Sequence, residues 1–222
     1  GNVQAVVKAN ATAGFSIATW TAGSSMGTAG HGLGVKPDVC IRKVRSQSAD
    51  WIVHHDLVDG SHDYLRLNNT NTNSGTSVQL PTSSVMGTDD NSGLEFVVYS
   101  FSQVAGYSKF GSYTGNGNAD GTFVFTGFRP AWTMIKSSSA TWNWIMQDTE
   151  RFGGINSDAN DKNLAANDNS AEPSSASFSG NQIDYLSNGF KLRSTAANTN
   201  ASGGTYIFMA FAESPFKNAR AR

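Results

Sequence analysis

Two stretches of this chain are near-copies of each other. Residues 34–43 read GVKPDVCIRK and residues 127–136 read GFRPAWTMIK. Each is Gly, apolar, basic, Pro, then an alternating run that ends in Lys. Pro37 falls on Pro130 (130 − 37 = 93), and the same offset carries Lys43 onto Lys136, Trp51 onto Trp144 and Trp20-Thr21 onto Tyr113-Thr114. The ends repeat as well. FVVYSFSQ at 96–103 matches YIFMAFAE at 206–213, with Phe101 on Phe211 (211 − 101 = 110). The second copy is thus 17 residues longer (110 − 93 = 17), and the excess lies between its Trp strand and its last strand. A period near 100 residues is that of a domain, not of a solenoid or propeller blade. The expectation is two homologous modules in tandem, 1–106 and 107–222, the second with a longer loop around 149–182.

Within each copy the pattern has period two. Val39 and Ile41 share one face, as do Trp132 and Met134, while Cys40 and Thr133 point the other way. EFVVYSF and TYIFMAF are apolar at nearly every position, which suits strands buried on both faces. Asn-Gly at 116–117 and 188–189 and Gly-Gly at 153–154 and 203–204 punctuate the strands, and no stretch keeps helical spacing over three turns. The fold class that follows is all-β, with each module β-sandwich-like.

Charged residues make up 15% of the chain, against about 25% in an ordinary soluble protein. With a net charge of −1 and only the short Arg42, Lys43, Arg45 group as a basic run, the chain lacks the basic face that nucleic acid requires. The single cysteine, Cys40, precludes an intramolecular disulfide or a cysteine-built zinc site. No run of 18 apolar residues exists to insert a helix into a membrane.

Four groups of residues invite a chemical reading. GHGLGVKPD (30–38) has glycines around a histidine, but its counterpart FVFTGFRPA has no His and one Gly, and a strand follows where a phosphate loop needs a helix N-terminus. It reads as a turn. HHDLVDGSHD (54–63) is the densest set of metal-ligand types; on a strand, however, His54 and His55 face opposite ways, so at most one can join His62, and a solvated turn with polar ends is expected. NSDANDKN (156–163) offers Asp158, Asn160 and Asp161 to calcium but lacks the Gly and closing Glu of an EF-hand. Asp120, Asp148, Glu150 and Asp184 could supply a hydrolytic pair, yet none sits in a catalytic motif, so no enzyme and no required cofactor are expected. Among the tryptophans, Trp51 and Trp144 recur and read as core. Trp142 falls on Ala49 and is free of the shared pattern. Trp142, with Asp148, Arg151 and Phe152 where the long loop begins, forms the candidate receptor contact.

Several segments, ATAGFSIATWTAG, YLRLNNTN, KFGSYTGNGNADGTFVFTGFRPAWTMIK, LSNGFKLR and ASGGTYIFMAFAESPFKNARAR among them, resemble a family of tail-fibre-like virion proteins of marine bacteriophages. The resemblance runs over nearly the whole chain, and GSYTGNG, TGFRPA and the closing YIFMAFAE carry it most specifically. It implies a place on the virion, in a tail fibre or other surface appendage, at the C-terminal end of a longer polypeptide entered mid-chain. It also implies homo-oligomerisation, as a trimer, and non-enzymatic host adsorption to a bacterial surface glycan or protein. A purely structural fibre or capsid-decoration part and a polysaccharide depolymerase are the alternatives. The resemblance departs from its usual pattern at SVMGTDDNSGLEF, which looks shortened before the last strand of the first copy.

Overall fold

A strand that is apolar on both faces must be paired on both edges and covered on both sides. The structure, a computed structural model describing residues 1–152, 163–170 and 181–214, puts each such strand inside a sheet. The fold is all-β. The residues cluster into two units, Gly1–Leu67 with Asn73–Val104, and Ala105–Arg222 with Asn68–Thr72.

In the first unit the strands are β1 (Ala5–Asn10), β2 (Phe15–Thr21), β3 (Gly27–Gly30), β4 (Val39–Val44), β5 (Trp51–His55), β6 (Asp63–Arg66), β7 (Ser74–Gly75), β8 (Val85–Thr88) and β9 (Glu95–Phe101). Seven of them form one sheet in the order β1-β2-β9-β4-β5-β6-β7, and β3 pairs with β8 as a separate ribbon. Among the described residues of the second unit, β10 (Ser108–Thr114), β12 (Pro130–Ser137), β13 (Ile145–Asp148), β14 (Leu164–Ala165) and β17 (Thr205–Ala212) form a sheet in the order β10-β17-β12-β13-β14. A second sheet has the order β11-β16-β15, from β11 (Phe123–Phe125), β15 (Ile183–Leu186) and β16 (Gly189–Leu192). The helices described, α1 (Thr149–Phe152) and α2 (Ala197–Asn200), are single turns.

Both offsets of the sequence repeat recur in the ladders. Val39 faces His55 as Trp132 faces Asp148, and Ile41 faces Val53 as Met134 faces Met146. Val39 faces Phe101 as Trp132 faces Phe211, and Trp20 faces Phe96 as Tyr113 faces Tyr206. Gly34 and Gly127, one offset apart, have φ of 74° and 85°, so each turn before the Pro-led strand needs a left-handed residue that only glycine adopts cheaply.

Each inner face carries a core. In the second unit Ile135, Tyr206 and Phe208 of the larger sheet pack with Val124, Tyr185, Phe190 and Leu192 of the smaller one, a two-layer sandwich. Tyr185 reaches across the layers: its hydroxyl shares a 2.6 Å hydrogen bond with Thr133 Oγ1 and donates to the Gln147 carbonyl at 3.0 Å. In the first unit Trp20, Cys40, Phe96 and Val98 pack beneath Ala29 and Met86 of the β3–β8 ribbon. The expectation that both repeated tryptophans are core holds for Trp144, which is 1% exposed. Trp51 is half-buried, with the Lys43 ammonium 6.0 Å from its ring centre.

The repeated lysine ties the end of its strand to neighbouring backbone. Lys43 Nζ donates to the Ala49 carbonyl at 2.5 Å. Lys136, fully buried, donates to the carbonyls of Ser137 at 2.6 Å, Thr70 at 3.2 Å and Ala140 at 3.4 Å. Burial pushes the Lys136 ammonium down to about 8. Above that pH the folded chain sheds a proton that the unfolded chain keeps up to about pH 10.4, so stability rises with pH in this window. Beyond about pH 10 the buried phenols of Tyr113, Tyr185 and Tyr206, all raised by desolvation, hold protons that the unfolded chain loses, and the trend reverses. Urea unfolding between about pH 7.5 and about pH 10 is expected to show a rising midpoint, and Lys136→Met should flatten that rise. A wild-type midpoint that stays flat would mean the three carbonyls keep the ammonium charged.

Candidate functional site

The two units differ most in what lies over the inner face of the larger sheet. In the second unit β15 adds a third strand to the covering layer, and Ile135, Ile145 and Gln147 beneath are all buried. In the first unit the covering ribbon has two strands, β3 and β8, and the residues at 76–81 run as coil. The inner-face positions of β4, β5 and β6 therefore line a cleft of about 310 Å³. Cross-strand pairing sets its floor in two rungs: Arg42 faces Ile52, which faces Arg66, and His54 faces Tyr64.

The cleft is rich in charge, and the charge is paired. Arg42 Nη1 lies 2.7 Å from Asp89 Oδ2, and Arg66 Nε lies 2.8 Å from Asp50 Oδ2. Each guanidinium also rests on an aromatic ring, Arg42 at 5.6 Å from the centre of Phe96 and Arg66 at 5.2 Å from that of Tyr64. Arg42 is buried, and desolvation pulls its guanidinium below the usual range while Asp89 opposes that pull. Breaking this pair from one side is costly, on the order of 3–5 kcal/mol, because a buried charge is left alone.

His54 lies in the floor with neither ring nitrogen hydrogen-bonded. Its ring centre is 5.1 Å from that of His62, whose Nδ1 donates to the Val78 carbonyl at 2.7 Å. Burial, then the charge of Arg42, holds His54 well below the ordinary imidazole range; burial also lowers His55 and His62. HHDLVDGSHD is the solvated turn expected only at its tip, where Asp59, Gly60 and Ser61 are exposed; its ends are not solvated, since His54 and His55 are 6% and 2% exposed. Strand β5 carries both inward, one on each face, and the coil at 76–81 closes over His62. Among the described residues no three His, Cys, Asp or Glu side chains converge as a metal ion would need. His31 of the GHGLG stretch is fully buried, with Nδ1 accepting from Leu33 N and Nε2 donating to the Thr82 carbonyl, so it stitches the turn.

Residues 1–215 match a family model described as a domain of unknown function, DUF7483. The chain belongs to that family. No curated protein and no solved structure matches it. The DUF7483 match spans both units.

The candidate receptor residues fall at two ends of one strand. Trp142, 40% exposed, precedes β13, whereas Asp148 ends β13 and pairs with Arg151 of α1, Oδ2 to Nε at 2.7 Å. Phe152 closes α1, and its side chain lies outside the described residues, as do Asp158, Asn160 and Asp161. Of the carboxylates considered for hydrolysis, Asp120 and Asp184 share Arg193, at 3.2 Å and 2.5 Å, and the hydrogen bond from Lys191 holds Asp120 below the usual carboxylate range. Of the cleft residues, Arg42 stood out in the sequence as part of the short basic run and His54 as a metal-ligand type, and none was gathered into a binding site. The signal was present in the offset of 93, which lays Arg42 on Ile135 and Asp50 on Asn143, two places where the first copy is charged and the second is not, and His54 on Gln147.

Four histidines with lowered basicity make the chain acid-labile. As pH falls through about 6.5 the unfolded chain binds protons that the folded chain refuses, so stability falls with pH. The urea midpoint is expected to drop between pH 7 and pH 5, and His54→Gln, which takes the residue of the second unit, should make that drop shallower. An unchanged slope in His54→Gln would show that this imidazole is protonated in the folded chain.

Proposed function

We propose that this chain is a receptor-binding part of a phage virion appendage, tail-fibre-like and non-catalytic, built as two homologous β modules in tandem. Its work is to hold a host-surface glycan in the cleft of the first unit. The observation that carries the binding reading is the cleft itself: paired guanidinium and carboxylate groups set among aromatic rings, on a sheet face that the second unit fills with Ile135 and Ile145. Convergent polar groups in an aromatic-lined concavity are the usual form of a small-ligand site. The tandem is supported by ladder registers that repeat at the offsets of the sequence repeat. The virion location, and assembly as a trimer, rest on the resemblance. In an oligomer, weak single contacts would gain avidity from copy number.

The test is adsorption of the fluorescently labelled native oligomer to a panel of intact marine bacteria, with and without chelator. The expected result is saturable binding to a narrow set of hosts that survives chelation. Binding lost to chelator would move the contact to the Asp-rich stretch at 156–163. Failure to bind any host, by a chain confirmed as folded, would leave a structural component of the appendage.

A further inference from the structure

We propose that the cleft of the first unit is a subsite for one uncharged sugar ring, its hydroxyls read by the two pairs Arg42–Asp89 and Arg66–Asp50. This rests on the glycan-binding reading above and narrows it to a ligand class.

The first argument is cost. Arg42 sits on the inner face beside Phe96, facing Val98 on the neighbouring strand, at the ladder position that the second unit gives to Ile135. A buried ion pair gains little over a well-packed apolar residue once desolvation is counted. Ile135, fully buried, demonstrates that this sheet position accepts the apolar choice. The fold therefore does not ask for Arg42 and Asp89, and the cleft gives them another use.

The second argument is charge. Arg42, Arg66, Asp50 and Asp89 are the formally charged residues that line the cleft, and their sum is zero. A phosphate or uronate entering it would find both guanidinium groups committed and two carboxylates beside them. A neutral polyol meets no such opposition. Each hydroxyl both donates and accepts, so adjacent hydroxyls can accept from a guanidinium and donate to its carboxylate without disturbing the pair.

The third argument is shape and surface. The volume of about 310 Å³ stands at the lower end of small-molecule sites, about 300–1,000 Å³, which suits one ring or the end of a chain. Ile52, Tyr64 and Phe96 give an apolar wall for the C–H face of a pyranose. His54, with two unpartnered ring nitrogens in the floor, has one donor and one acceptor to satisfy, and buried polar groups of that kind call for a partner.

The experiment uses the full chain and reads its histidines, four in all, by the Cε1–H signals in heteronuclear NMR. Glucose, galactose, mannose, rhamnose and N-acetylglucosamine are titrated separately, with galacturonate and inorganic phosphate as charged probes. The expected result is a saturable shift of the His54 signal with at least one neutral sugar, and binding of that sugar at least tenfold tighter than of galacturonate or phosphate. Asp50→Asn, a change at a half-exposed side chain, should weaken the neutral sugar at least tenfold while leaving the His31 signal in place; Arg66→Lys is the second variant. Tighter binding of galacturonate or phosphate would overturn the uncharged class. No His54 shift with any neutral sugar would overturn the subsite. Host adsorption is measured in parallel: cells bound equally by wild type and Asp50→Asn would overturn the cleft as receptor site and keep the adhesin, whereas sugar binding without host adsorption would keep the subsite and remove the adhesin.

Discussion

Everything in each unit hangs on a central strand that is satisfied on both edges. β9 pairs with β2 on one side and β4 on the other, and β17 pairs likewise with β10 and β12. A strand so placed has its backbone hydrogen bonds used in both directions, and its side chains alternate between the core and a second face that is largely buried along β17 and half-buried along β9. That is why both final strands tolerate apolar residues almost without interruption, and why their neighbours are fixed in register. A slip of one residue would turn Phe96 or Tyr206 out of its core.

Once the central strands are set, what varies is the covering layer. With β11, β16 and β15 above it, the larger sheet of the second unit can bury Ile135 and Ile145, and one phenol, Tyr185, bonds both the Thr133 hydroxyl and the Gln147 backbone carbonyl. With β3 and β8 alone, the first unit covers Trp20, Cys40 and Phe96, and its β4–β6 flank lines a cleft with buried Arg42 and His54 and half-buried Tyr64 and Arg66. A shorter connection in the first copy and a more polar sheet face are thus two sides of one difference. The β4–β6 flank, where the covering ribbon has no third strand, is where the proposed glycan contact lies.

The sequence repeat anticipated much of this. Gly34 and Gly127 were legible as turns because the same Gly-x-basic-Pro order introduces both strands, and both adopt the left-handed backbone. Period-two alternation and the absence of helical spacing led to an all-β fold, which the structure has. The histidine-rich segment was misread as solvated at its His54–His55 end, because periodicity states which face a residue takes but not what crosses over it. The coil at 76–81 is what bonds His62, through the Val78 carbonyl 16 residues on, and lies beside His54. Trp142 was drawn from the same logic of a residue that the shared pattern does not need, and it is indeed exposed. The cleft would have required that logic to be applied to charges as well as to aromatics.

By itself, then, the sequence determined the all-β class, the alternation along the repeated strands and the turns that introduce them, since all of these depend on residues near in the chain or on copies of the same local pattern. Only the tertiary structure decided which face was roofed. Whether Arg42 would lie in a core, on a surface or in a cleft depended on how far a second layer extends over it, and that is set by strands distant in sequence whose packing no local period encodes.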